Sequence, residues 1–377
     1  VLSADDHVAK TRHADLSFNE LVAAYFDCRR HKRNTHSALA FEQDLERNLL
    51  NLFDELCSGT YHPGRSICFV ITRPKNREVW AADFRDRIVH HLLYNRICKR
   101  FYAAFSADSC ACIPGRGTLY AAKRLERHVR SITQNWQQPA FYLKCDLANF
   151  FVSIDKRILR ELLAARIVEP FWMALAETIL FHDPRTDVEI RGHVDRLGLV
   201  PPHKSLFNQP AHFGLPIGNL SSQFFANVLL DVLDQHVKHV VGARYYIRYV
   251  DDLVLLHKSA QWLNEARASI EAALEHLALR LNPSKTILQP IDRGIDFAGQ
   301  LIKPWCRTLR RRTYRDALHR VAKIPAADLY ATANSYFGLM RQASHSRLDR
   351  ARLAKLVVKR GRSVDGGLTK TFRGSDS

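Results

Sequence analysis

The 377-residue chain has no CxxC pair, no apolar run near the length of a membrane span, and only 38 Asp and Glu against 56 Lys and Arg. Each shortage excludes something. The eight cysteines (Cys28, Cys57, Cys68, Cys98, Cys110, Cys112, Cys145 and Cys306) are scattered, which argues against a disulfide framework or zinc ribbon. They are expected to be reduced thiols of a cytoplasmic protein, with the one close pair, Cys110 and Cys112, as small buried apolar residues. No membrane-spanning helix is expected. Val1-Leu2-Ser3-Ala4-Asp5-Asp6 lacks the apolar core of a secretory signal, and the missing initiator Met is expected of a processed or trimmed start. No repeat, low-complexity tract, amphipathic basic helix or lipidation motif is present.

The acidic deficit leaves a formal charge of +18 and a pI near 9.7. A chain this basic repels itself unless it meets a polyanion, so nucleic acid is the expected partner. A basic surface serving solubility or anionic lipid is the plainer alternative, and no motif supports the lipid.

Phe41, Leu45, Leu49, Leu52, Phe53 and Leu56 recur at helical spacing and predict one helix over 37–56, stopped by Gly59. The cluster Arg29-Arg30-His31-Lys32-Arg33 ahead of it reads equally as a solvated helix end or a phosphate contact. Tyr61-His62-Pro63-Gly64 predicts a turn, Ser66–Ile71 a strand, and Arg73-Pro74-Lys75-Asn76-Arg77 a basic loop. Helices are expected over 83–101 and 119–129. Phe141–Cys145 predicts a strand ending on Asp146, and Asp155 a helix cap. Residues 182–213, with four prolines and four histidines, read as a long connecting loop. His182, His193, His203 and His212 fit no compact metal site by spacing. A helix follows the Gly214–Asn219 turn, capped by Ser221 or Ser222, and another is expected over 262–279. A short strand is expected at 295–297, and from Trp305 onward the chain reads as basic and helical. This mixed order implies an α+β fold, with an antiparallel sheet packed on helices.

The acidic residues carry the chemistry. Tyr245–Tyr249 and Leu253–Leu256 are strand-like runs around Asp251-Asp252, so a hairpin presents two carboxylates at its bend. Such pairs are most often solvated turn residues. Asp146 ends its own strand 105 residues earlier. If that strand lies beside the hairpin, three carboxylates meet at one sheet end. Two divalent ions about 3.5–4 Å apart could then serve phosphoryl transfer. The basic loop at Lys75 and Arg77 would supply charge for a triphosphate.

These residues carry a family resemblance. Tyr249-Val250-Asp251-Asp252 resembles the YxDD box of reverse transcriptases, and Phe141–Phe151 (FYLKCDLANFF) resembles their first catalytic block. Gly214–Gln223 (GLPIGNLSSQ) is similar to their template and nucleotide block. Asn282-Pro283-Ser284-Lys285-Thr286 and Ile295-Asp296-Phe297-Ala298-Gly299 are similar to the next block and the primer grip. Five blocks stand in the family's order across residues 61 to about 305.

The resemblance implies a right-hand polymerase fold: fingers, a palm with an antiparallel sheet, and a helical thumb. Residues 1–60 would be an N-terminal helical extension, 61–305 the fingers and palm, and 306–377 a basic helical thumb. The stretch after 305 is expected to be too short for a ribonuclease H or intron-type endonuclease domain.

The implied activity is RNA-directed DNA polymerisation with two Mg2+ ions, Mn2+ being the alternative. RNA template, primer or cDNA, and dNTPs would be the partners, with no membrane. Asp146 and Asp251 would ligate metal, with Asp252 supporting them or the primer end. Lys75 and Arg77 would meet the triphosphate, and Asn149 and Phe150 would offer it backbone amides. Phe151 matches the steric gate against a 2′-hydroxyl. Lys285 would protonate or screen pyrophosphate. Ile217, Gly218 and Gln223 would lie in the nucleotide block. Taken alone, Phe151 and Ile217 read equally well as core side chains. The thumb cations Arg310, Arg311, Arg312, Lys355, Lys359, Arg360 and Arg362 suit a duplex track, though such runs are usually solvated faces.

Many reverse transcriptases carry Gln where this chain has Ile217, and Ser-Pro where it has Ser222-Gln223. Ile217–Gln223, Tyr61–Gly64 and Asp86–His91 resemble the diversity-generating retroelement branch and its group II intron relatives. That branch copies a template repeat with errors opposite adenine and works with a small basic accessory protein. Ala298 departs from the usual primer-grip Leu, and the 182–213 segment lengthens the gap between blocks. The alternatives are an antiphage-defence reverse transcriptase, with untemplated or protein-primed synthesis, and an RNA-binding protein on a retired polymerase fold. An oligomer is also compatible with the sequence.

Overall fold

The computed structural model describes residues 16–373 except 31, 33 and 74. His31 and Arg33 of the first basic cluster and Pro74 of the second thus lie outside the described residues.

In chain order the elements are α1 (Phe18–Arg29), α2 (His36–Glu42), α3 (Leu45–Ser58), β1 (Ser66–Ile71), β2 (Arg77–Ala82) and α4 (Phe84–Tyr102). Then come α5 (Thr118–Ile132), β3 (Phe141–Asp146), α6 (Phe150–Ser153), α7 (Lys156–Ala164), α8 (Pro170–Phe181) and β4 (Val188–Ile190). After three short 3-10 turns follow α9 (Leu220–Gln235), β5 (Tyr245–Tyr249), β6 (Asp252–His257) and α10 (Ala260–Glu275). The last are β7 (Ile287–Pro290), β8 (Ile295–Phe297), β9 (Gln300–Lys303), β10 (Cys306–Leu309), α11 (Arg311–Lys323), α12 (Ala326–Met340) and α13 (Arg347–Lys359).

The chain divides into two compact units, each drawn from three stretches of sequence. One unit holds residues up to 106, 147–236 and 270–281; the other holds 107–146, 237–269 and 282–377.

In the first unit, β2-β1-β4 form a small sheet, with β1 antiparallel to β2 and parallel to β4. The 182–213 segment is therefore not a free loop. Its β4 extends the sheet, and Leu206 packs with Cys68 and Trp80 while its amide donates to the buried Glu78 carboxylate at 2.9 Å. A long chain with little periodicity is held here by tertiary contacts that periodicity does not report. The helix expected over 37–56 is broken at Asp44, whose backbone is not helical (φ −134°, ψ 58°). Asn48 Nδ2 instead donates to the Phe41 carbonyl across the break, at 2.9 Å. Gly59 ends α3 in the left-handed region, as expected (φ 72°).

In the second unit the order β5-β6-β3-β7 makes a fully antiparallel sheet. Ala121, Leu125, Val129 and Ile132 recur at helical spacing on α5 and bury against Ile247, Val254 and Leu256 of the sheet. Each Val, Leu or Ile side chain fully buried there contributes about 1.5–3 kcal/mol. The buried Asp108 receives Arg124, His128 and Lys238. Burial pushes its carboxyl up, but hydrogen bonds from those three side chains outweigh it and hold it well below the usual carboxylate range.

The C-terminal stretch is not helical from Trp305. Cys306–Leu309 first pairs with β9, because alternating side chains bury Arg307 and Leu309 on one face. The three helices after it close around Val321, Leu329, Phe337 and Val357. Cys110 is buried as expected, but Cys112 is exposed, on a turn where its φ is 54°. Among the described residues, no helix is long and apolar enough to cross a membrane.

Candidate active site

β5 and β6 join through a two-residue loop, Val250-Asp251, with Tyr249 paired to Asp252. The ladder runs on from β6 to β3, and there Asp146 is the register partner of Asp252. Residues directly opposite in an antiparallel pair project to the same face. All three carboxylates therefore gather at one end of the four-stranded sheet, on a support whose strands β3, β5 and β6 are largely apolar and buried.

The proximity shows in the acidity of Asp251 and Asp252. Burial, then the charges of Asp146 and Asp252, raise the Asp251 carboxyl to about 6. Burial also raises Asp252, with Lys144 the leading opposing charge. Lysines supply the balance: Lys285 Nζ contacts Asp146, and Lys144 Nζ lies 3.8 Å from Asp252. Lys144 also donates to the Asp296 carbonyl at 2.8 Å. An all-oxygen donor set under mutual repulsion suits hard divalent cations. Among the described residues no group of three or more His, Cys, Asp or Glu is placed so that it could hold a metal ion. Two of the three carboxylates are instead turned toward lysine ammonium groups.

Of the other sequence-derived candidates, Lys285 joins this cluster. The rest belong to the first unit. Lys75 and Arg77 are exposed, in the β1–β2 loop and at the start of β2. Asn149, left-handed at φ 48°, opens α6; Phe150 is buried and Phe151 half-buried, their rings 5.2 Å apart and edge-on. The Phe151 carbonyl accepts the Leu215 amide at 2.8 Å, tying Phe151 to the turn that carries Ile217.

That turn is laced to β2. Trp80 N donates to the Ile217 carbonyl at 2.7 Å, and Ala82 N donates to Asn219 Oδ1 at 3.0 Å. Gly218 has φ 137°, and a Cβ there would lie 2.3 Å from the Trp80 carbonyl oxygen. Only glycine fits so close to another backbone. Ile217 is half-buried, and Gln223 is exposed on α9. Asn219, not Ser221 or Ser222, stands at the helix N-cap. Ser221 is turned inward to the ring of the buried His90, and that contact competes with capping.

Sequence reasoning passed over Trp80, Asn219, Lys144 and Arg248. Arg248 and Lys144 each left a signal, a charged residue in the middle of an apolar strand run.

A four-stranded antiparallel sheet carrying acidic residues at one end, with α-helices in both units, makes this an α+β protein, and the two likenesses that follow give its fold as that of the right-hand polymerases. In fold the chain is similar to telomerase from Candida albicans, solved in complex with a TWJ fragment of telomeric RNA. The TM-score is 0.51 at 11% identity, over 78% of this chain and 54% of that one. The chain thus spans about half the length of that protein. No curated protein matches it. Residues 74–302 match the family described as reverse transcriptase (RNA-dependent DNA polymerase), and the chain belongs to that family. Enzymes of this family generally use divalent metal ions.

Proposed function

We propose that the chain is an RNA-directed DNA polymerase that adds dNTPs to a primer 3′-hydroxyl on an RNA template. The observation that carries this reading is the pairing of Asp146 with Asp252 at the sheet end, with Asp251 on the adjoining turn. In this reading the three carboxylates hold two Mg2+ ions, with Mn2+ as the alternative. The chemistry supplied by bound ions is activation of the 3′-hydroxyl and neutralisation of the leaving pyrophosphate. Lys285, already on Asp146, screens or protonates that pyrophosphate. Lys75 and Arg77 take the triphosphate, the Asn149–Phe150 amides orient it, and Phe151 blocks a ribose 2′-hydroxyl. Gly218 and Gln223 belong to the nucleotide-facing turn and helix.

The finer reading is an error-prone enzyme of a diversity-generating retroelement. Its support is Ile217, whose side chain cannot hydrogen-bond sugar or base, so the pocket lacks polar discrimination there. A small basic accessory protein is the partner this reading adds, and the cytoplasm its compartment.

Primer extension on an RNA template with Mg2+ tests the core reading. DNA synthesis is expected from the wild-type chain and none from Asp251→Ala; equal synthesis by the two would refute the site. The neighbouring DNA separates the systems. Paired template and variable repeats differing at adenines support the diversity-generating assignment, and their absence favours the defence enzyme.

A further inference from the structure

The turn that carries Asp251 is under backbone strain. Val250 has φ 56°, in the left-handed region where a Cβ is crowded and a branched one most of all. Two-residue hairpin loops demand such a φ and normally recruit Gly or Asn for it. A β-branched residue persists there only where its surroundings over-determine it.

Arg248, two residues earlier, supplies that constraint. Its Nη1 donates to the Val250 carbonyl at 3.0 Å, and its Nη2 donates to Ser109 Oγ at 2.8 Å. Arg248 is 1% exposed and Ser109 is fully buried. The backbone is pinned alongside: Arg248 N donates to the Asp108 carbonyl and Cys110 N donates to the Arg248 carbonyl, both at 2.9 Å. The 108–110 segment is itself anchored. Arg116 donates to the Ser109 carbonyl at 2.9 Å, and the Asp108 carboxylate is gripped by Arg124, His128 and Lys238. Burying a guanidinium is costly unless its donors are used, and a planar fork spans two acceptors in fixed relation as an ammonium cannot.

We propose that Arg248, braced by Ser109, is a positioning residue: it holds the strained Val250 peptide and so sets the direction in which the next residue, Asp251, presents its carboxylate. The proposal rests on the reading of Asp251 as a catalytic carboxylate.

Single-nucleotide incorporation by the full chain, on an RNA template with a DNA primer and Mg2+, tests it in a two-by-two design. Arg248→Lys is measured alone and with Val250→Gly. In the wild-type background, Arg248→Lys is expected to lower kcat about 10- to 100-fold, the scale of a catalytic group displaced by about 1 Å. KM for the dNTP should be unchanged. With Val250→Gly the same substitution should cost only a few-fold, because glycine adopts the positive φ unaided. An equal fold-loss in both backgrounds overturns the proposal, as does a folded Arg248→Lys chain with wild-type kcat. Where Arg248→Lys does not fold, Ser109→Ala removes only the brace and carries the same comparison. Asp251→Ala separates the two readings. If it is active, the active-site reading fails; if it is inactive while Arg248→Lys is unaffected, only the positioning role fails.

Discussion

Asp146 and Asp252 face each other as register partners across β3 and β6, so the sheet itself, through backbone hydrogen bonds, fixes the spacing of two of the three carboxylates. Asp251 lies outside this ladder, on the turn. Asp146→Asn keeps shape and register but removes one negative charge from beside Asp251. DNA synthesis is expected to fall by at least about 100-fold while the thermal midpoint stays near wild type. A retained rate in a folded Asp146→Asn chain would show that the register pair does not serve the chemistry.

Gly218→Ala should be harmful without touching any carboxylate. The new Cβ meets the Trp80 carbonyl oxygen, a backbone atom that cannot swing aside, at a φ that L-residues rarely adopt. A loss of about 1–3 kcal/mol in stability is expected, read by denaturant titration. Poorer dNTP binding should accompany it, since the same clash pushes the Ile217 turn off β2.

His90 makes stability depend on pH. Burial, followed by the charges of His91, His182 and Arg87, lowers its ring to about 3, so it is neutral in the fold at neutral pH. An unfolded His titrates near 6.5. A folded pKa below the unfolded one contributes stability fully present above about 6.5 and lost as pH falls from there toward 3. The limiting slope is about 1.4 kcal/mol per pH unit. Chemical denaturation from pH 7 to 5 should show this decline, and His90→Gln should flatten it.

Ile217→Gln restores a hydrogen-bonding side chain at the turn held by Trp80. Misincorporation opposite template adenine is expected to fall, measured by sequencing cDNA made on a defined RNA. Unchanged misincorporation opposite adenine would overturn the proposed link between Ile217 and fidelity.

Phe151 is half-buried and tied through its carbonyl to Leu215, so shortening its side chain leaves the backbone link intact. Phe151→Ala should admit ribonucleotides, narrowing the dNTP-to-rNTP preference by at least about 10-fold in competition assays.

Most of the frame was legible in the amino-acid order, because local signals and the fold agree. The apolar runs around Asp251-Asp252 are a hairpin, Asp146 ends a strand, Asp155 caps α7, and Gly59 stops α3. The blocks around them led to the family. The misreadings share a cause. Ser221 looks like a cap, but the ring of His90, 131 residues away in sequence, takes its hydroxyl. Residues 182–213 look like a loop, yet β1 and Glu78 order them. Such partners lie far along the chain, and no periodicity encodes them.

The primary structure by itself determined which carboxylates are present, which strands carry them, and that Ile217 rather than a polar residue lines the turn. Only tertiary structure decided that Asp146 stands opposite Asp252, that Gly218 is pressed on Trp80, and that Val250 is held at a positive φ by Arg248. Register, close approach and strain are relations between segments. They exist only once backbone hydrogen bonds and buried side chains from distant parts of the chain have closed on one another.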